Sequence, residues 1–145
     1  MTNQNLTKAF IKKKTKRFGL KISLSESEMK DSPYFLIIKS SSPKCTRLTI
    51  YPIKRDKIIK ISILAHNISD FMIEELSNIL KKYEIIHTSG LLVKKKELNY
   101  ECYLDLDFSN PKSKDLKSSL NKLKNILKEI IIEEISLKRF KKSKL

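Results

Sequence analysis

Between Lys57 and Phe140 the chain runs through six segments whose apolar periodicity reads strand, helix, strand, strand, helix, strand. In the first segment Ile59, Ile61, Ile63 and Ala65 share one face, and Ile58, Lys60, Ser62 and Leu64 share the other. The polar connection His66-Asn67-Ile68-Ser69 offers N-cap residues to a helix over Asp70 to Tyr83. Its apolar stripe is Met72, Leu76, Ile79, Leu80 and Tyr83, with Glu74, Glu75, Lys81 and Lys82 on the wet side. Glu84 to Val93 is the second strand, interrupted at Gly90, where a bulge or a close backbone approach is expected, and Lys94 to Glu97 forms the hairpin tip. In the third strand Leu98, Tyr100, Cys102, Leu104, Leu106 and Phe108 alternate with Asn99, Glu101, Tyr103, Asp105 and Asp107, so one face goes to the core and the other is largely acidic. Asn110 caps the next helix, with Pro111 preset at its first position. There Leu116, Leu120, Leu123, Leu127 and Ile130 recur on one helical face, and a last strand follows over about Ile131 to Leu137.

This order predicts an α+β fold: a ferredoxin-like βαββαβ sandwich with two helices on one face of an antiparallel sheet. Upstream, Tyr34 to Lys39 and Arg47 to Ile53 flank the turn chemistry of Ser40-Ser41-Ser42-Pro43-Lys44, which predicts an N-terminal β-hairpin. Its place is either along an edge of the sheet or across the sheet's open face. Leu20, Ile22 and Leu24 alternate as a short strand would. The chain therefore divides into a basic flexible arm (1–17), a strand and hairpin extension (18–56), the βαββαβ domain (57–137) and a basic C-terminal tail (138–145).

The segments Ile61-Ser62-Ile63-Leu64-Ala65-His66-Asn67 and Leu76-Ser77-Asn78-Ile79-Leu80-Lys81-Lys82-Tyr83-Glu84-Ile85-Ile86 resemble an ACT domain, a small regulatory module attached to many amino-acid-metabolism proteins. The resemblance covers about 57–137 and implies a non-enzymatic, ligand-responsive module that dimerises by sheet extension or helix packing. It also implies ligand contacts from Asn67, Ser69 and Asp70, which read more readily as helix-capping residues. Two departures stand out. Glu84 occupies the place of the family's glycine, next to Ile85 in the place of its isoleucine, and Phe71 stands where the family carries a glycine close to its effector.

Chemistry elsewhere is sparse. With only two glycines, Gly19 and Gly90, no Gly-rich phosphate loop is available. Cys45 and Cys102 lie far apart without metal-ligand spacing, and His66 and His87 would need the fold to bring a further ligand to them, so neither a metal nor a cofactor is expected. Glu101, Asp105 and Asp107 share a face as paired catalytic carboxylates would, but on an open sheet they are too well solvated for acid–base work. If the hairpin covers that face, Lys60 is their natural counter-charge. No nucleophile, base and orienter can be named, so no catalytic residue is expected. No apolar run approaches the roughly 20 residues of a membrane span. The polar start, Met1 to Leu6, lacks the apolar centre of a secretory signal, which points to the cytoplasm.

The net charge of +15 is uneven. Residues 1–30 carry +6 and residues 138–145 carry +5, leaving +4 for 31–137. An acidic third strand repels phosphate, so the sheet is a poor RNA platform of the stacked-aromatic kind. The tails suit phosphate better: Lys12, Lys13, Lys14, Lys16 and Arg17, the tip Lys94, Lys95 and Lys96, and Lys138, Arg139, Lys141 and Lys142. Pro33, Pro43 and Pro52 oppose the long helices of a ribbon-helix-helix DNA reader upstream. The leading expectation is a regulatory or small-ligand-binding module for a small metabolite. A homodimer is expected because Ile58, Leu64 and Val93 on the open face favour cover. Non-specific RNA or DNA binding through the basic tails stands second, and an enzyme third.

Overall fold

The computed structural model describes residues 9–16, 19, 21, 23, 24, 31–67, 69–89, 92–94 and 96–137. Strands β1 (Tyr34–Ser41) and β2 (Thr46–Ile53) form a hairpin. Its turn is closed by the Ser42 N–H on the Cys45 carbonyl at 2.8 Å and the Cys45 N–H on the Ser42 hydroxyl at 3.2 Å. Pro43 inside that turn has no N–H to leave unpaired. There follow β3 (Lys57–His66), α1 (Asp70–Leu80), β4 (Ile85–Thr88), β5 (Leu92–Lys94), β6 (Glu97–Leu104), α2 (Lys112–Asn121) and β7 (Glu129–Ser136). The larger sheet has the order β4-β6-β3-β7, with β5 also on β6, and every pairing is antiparallel. The architecture is α+β with two antiparallel sheets and two helices.

The sheet is buried on both faces. On one, Ile59, Ile61, Ile63 and Ala65 of β3 and Leu98, Cys102 and Leu104 of β6 pack with Met72, Leu76 and Leu80 of α1 and Leu116 and Leu120 of α2. On the other, Leu36 and Ile38 of β1 pack with Ile58 and Tyr103, and Tyr51, Ile53, Ile86 and Ile135 close the margin. The hairpin therefore lies across the sheet's open face, not along an edge.

Ion pairs fix its hinge. Arg55, just after β2, reaches Asp105 Oδ1 with Nε at 2.6 Å and Asp107 Oδ2 with Nη1 at 3.1 Å. Asp107 Oδ1 also accepts the Ser109 hydroxyl, the Ser109 N–H at 2.9 Å and the Asn110 N–H at 3.2 Å. The Ser109 hydrogen bonds and the Arg55 guanidinium hold the Asp107 carboxyl below its ordinary pKa. One side chain thus ties the hairpin's hinge to the turn that launches α2.

Several elements end earlier than their apolar pattern. α1 stops at Leu80, and Tyr83 follows in a turn while still packing on the core. α2 stops at Asn121, after which tight turns take over, with the Leu123 N–H on Leu120 O at 3.0 Å and the Ile126 N–H on Leu123 O at 2.9 Å. Leu123 and Leu127 remain buried, but Ile130 belongs to β7, where it faces Ile63. Continuous pairing of β7 with β3 from Glu129 onward claims the residue that helical spacing would assign to α2. The second strand is split into β4 and β5, and its register shift lies between Ile85 and His87; Gly90 lies outside the described residues. Leu106 and Phe108 fall beyond β6. Gly19, Lys21, Ser23 and Leu24 form no strand, having no ladder neighbour among the described residues, and Leu20 and Ile22 lie outside those residues.

Two outcomes follow. Leu36→Ala should cost about 2–5 kcal/mol in urea unfolding, whereas Ile37→Ala, on the hairpin's outer face at 60% exposure, should stay within about 0.5 kcal/mol. Equal losses would mean that the hairpin is not seated inner face down. Because folding depresses the Asp107 pKa, its stabilisation is present above the ordinary carboxylate value and is lost as pH falls through the lower folded value. In Asp107→Asn the drop in urea midpoint below about pH 4 should be shallower than in the parent chain. Parallel curves would show that this carboxylate carries no acid sensitivity.

Candidate functional site

The inner face of the hairpin changes character along its length. Near the hinge it presents Tyr34, Leu36, Tyr51 and Ile53; toward the turn it presents Ile38 opposite Thr49 and Ser40 opposite Arg47. The sheet below changes in step, from Ile58, Tyr103 and Ile135 to Ser62, Leu64, Glu101 and Ile131. Apolar surfaces close on each other at the hinge end, and polar ones stay apart at the turn end. A groove of about 750 Å³ is left there, with Arg47 and Thr49 as roof and Ser62, Leu64, Glu101 and Ile131 as floor.

Its side wall comes from a bulge. Ile85 pairs with Leu104 and His87 with Tyr103, so Ile86 is the extra residue, and both Ile86 and His87 meet the hairpin side. His87 Nδ1 is hydrogen-bonded to the Tyr51 hydroxyl at 2.7 Å, and its ring lies edge-on to Tyr51 and Tyr103. Ser89 extends the wall, its hydroxyl accepting the Glu101 N–H at 3.0 Å. Lys60 lies under the hairpin with Nζ 3.2 Å from Glu101 and 3.9 Å from Glu133. Burial opposes its charge, yet the Glu101 hydrogen bond and the surrounding negative groups raise its pKa above the ordinary lysine value. Lys60 is thus the counter-charge for Glu101, while Arg55 serves Asp105 and Asp107.

These groups suit binding better than bond-making. Arg47 can hold an anionic or acceptor group, Glu101 a donor, and Leu64 with the half-exposed Ile131 an apolar portion.

The loop residues expected to touch a ligand lie elsewhere, at the β3–α1 connection. Asn67 adopts φ 53°, a left-handed conformation that asparagine tolerates, and its N–H meets Lys96 O at 3.4 Å. Ser69 accepts the Met72 N–H at 3.2 Å and caps α1, and Asp70 is exposed in the first turn. Phe71 points outward, 61% exposed. Among the tail candidates, Lys12, Lys13, Lys14 and Lys16 are exposed outside any regular element. Lys94 is on β5 and Lys96 is exposed at the hairpin tip, whereas Arg17, Lys95, Lys138, Arg139, Lys141 and Lys142 lie outside the described residues. Among the described residues of these two sets, the fold joins Asn67 and Lys96.

Cys102 and His87 sit on neighbouring strands but serve opposite faces, and among the described residues no three His, Cys, Asp or Glu side chains converge. Sequence reasoning missed Arg47, Thr49, His87 and Ser89. The signal available was the shift from apolar to polar along the hairpin's inner positions, which becomes meaningful once the hairpin is known to lie face down. Compared with protein-family models, curated proteins and solved structures, the chain matches none.

The two thiols differ sharply. Burial pushes Cys102 up to about 12, whereas at the exposed Cys45 the Ser42 hydroxyl and Arg47 lower the thiol pKa. A chromogenic disulfide reagent should therefore titrate one thiol in the folded protein and the second only after unfolding, with Cys45→Ser abolishing the first. Two accessible thiols in the native state would contradict the packing of β6 against the helices.

Proposed function

We propose that the protein is a non-enzymatic regulatory module that binds a small metabolite in the groove between the hairpin and the sheet. The carrying observation is the groove itself, in which an anion-binding guanidinium, a carboxylate and an apolar floor converge on one volume. The order β4-β6-β3-β7, with a helix after β3 and another after β6, supports reading 57–137 as ferredoxin-like and akin to ACT domains. Cytoplasmic residence agrees with two unpaired cysteines, one exposed at the hairpin turn. Among the described residues no helix is long and apolar enough to cross a membrane.

The argument for a homodimer changes. Cover for Ile58 comes from within the chain, so the support left is the outer edge of β7, which among the described residues pairs only with β3. The tail reading, non-specific binding of RNA or DNA, keeps its own support in the exposure of Lys12, Lys13, Lys14 and Lys16.

A thermal-shift screen of amino acids, nucleotides and small organic acids should give a concentration-dependent rise for at least one compound. Thr49→Trp, which fills the groove from its half-buried roof position, should abolish that rise while leaving far-UV circular dichroism unchanged. A rise that survives Thr49→Trp but is lost in Asn67→Ala or Asp70→Ala would move the site to the β3–α1 loop and end the groove reading.

A further inference from the structure

The charge of residues 31–137 is not spread evenly over them. Residues 112–128 hold Lys112, Lys114, Lys117, Lys122, Lys124 and Lys128 against Asp115 alone, a net +5, whereas the whole of 31–137 carries +4. The remainder of 31–137 is therefore slightly acidic, and its basic groups at Lys60 and Arg55 are already engaged with carboxylates. A general enrichment in lysine would scatter the charge. Here it is collected on α2 and the turns that follow, and all six lysines are exposed.

Three of them share a concavity. Lys117, Lys124 and Lys128, with Ser118 and Asn121, line a groove of about 640 Å³ between α2 and the edge strand β7. Its floor is Leu120, Ile130 and Ile132, and Glu129 is its one carboxylate. Lys128 Nζ is 3.7 Å from Glu97, an exposed pair that a phosphate can replace at little cost. Lys117 Nζ lies 3.8 Å from the centre of the Phe108 ring and occupies one face of it, and that ring is not part of the groove lining.

We propose that the α2–β7 groove binds the phosphate backbone of a nucleic acid, positioning the strand without reading its bases. Lysines supply the neutralising charge, and Ser118 and Asn121 are neutral donors of the kind that fix a backbone in register. No aromatic side chain lines the groove to stack a base. An anionic membrane is the poorer partner. The apolar face of this segment, Leu116, Leu120, Leu123 and Leu127, is consumed in the core, leaving Ile126 as its exposed large apolar side chain. A helix that binds a bilayer surface needs such a face free to insert. The inference is independent of the small-ligand groove on the opposite face of the sheet, and it differs from tail binding in naming a site between α2 and β7.

The test uses the full chain and three probes: a fluorescent single-stranded RNA, a DNA duplex of the same length, and vesicles of phosphatidylserine in phosphatidylcholine. Affinity is followed across a salt series in the parent, in Lys117→Gln/Lys124→Gln/Lys128→Gln, and in an arm variant with Lys12, Lys13, Lys14 and Lys16 changed to Gln. The expected result is binding to RNA or DNA that the groove variant weakens by about tenfold or more at about 50 mM salt, with a salt slope shallower by about 2 to 3. The RNA and DNA arms identify which backbone is preferred. Binding unchanged in the groove variant but lost in the arm variant overturns the proposal and leaves tail binding standing. Absence of nucleic-acid binding at low salt, or binding to vesicles only, overturns it as well. All three positions are exposed, so the groove variant should fold, and an unchanged melting temperature checks this.

Discussion

Two consecutive isoleucines in the middle of the sheet, Ile58 and Ile59, point to opposite faces and are 1% and 0% exposed. A strand that is apolar on both sides needs a layer on each. Helices supply one layer, as the βαββαβ order requires, and they cannot also supply the other because both crossovers pack on the same side. The hairpin fills that vacancy. Leaving Ile58 and its neighbours in water would forgo about 25 cal/mol for every Å² of apolar surface. The β1–β2 hairpin is thus a structural layer, and whatever the domain binds must accommodate a covered sheet.

The same cover reorganises the charges. Glu101, Asp105 and Asp107 alternate along the third strand segment as a solvated acidic face would, and period alone cannot tell solvation from pairing. Lys60 was a foreseeable partner, since it shares a face with Glu101 on a neighbouring strand. Arg55 was not, because it sits in a short polar link and meets Asp107 across 52 residues of chain. That contact exists only when β2 turns into β3 directly over the end of β6. Local patterning was therefore legible for the central strands, the first helix and its Ser69 cap, while contacts set by the third layer were not.

Element ends were hidden for a related reason. Leu123, Leu127 and Ile130 keep helical spacing, yet tight turns can bury the first two just as well, and the backbone hydrogen bonds offered by β3 decide the third. Spacing reports which residues are buried, and ladder pairing determines which element carries them. Gly90, a bulge site on the ground that glycine weakens strands, lies outside the described residues, and the register shift that is seen falls at an isoleucine. Ile86 packs there against the cluster of Leu36, Ile38, Ile58 and Tyr103, a reward visible only once the hairpin is in place.

Strand β7 is the wall between the two grooves. Its period of two gives Ile131 to the hairpin side and Ile130 and Ile132 to the α2 side, with Glu129 at the border of both. On the hairpin side, access is from the turn end, because the hinge end is sealed by Leu36 against Ile58, the Arg55 ion pairs and the Tyr51–His87 hydrogen bond. On the helix side, the groove opens along an edge whose backbone pairs only with β3 among the described residues. A substitution at Glu129 therefore alters the rim of both sites at once, whereas Arg47 belongs to one groove and Lys124 to the other. Alternation along a single edge strand is what keeps two chemically different surfaces, one mixed in charge and one basic, within a side-chain length of each other without merging them.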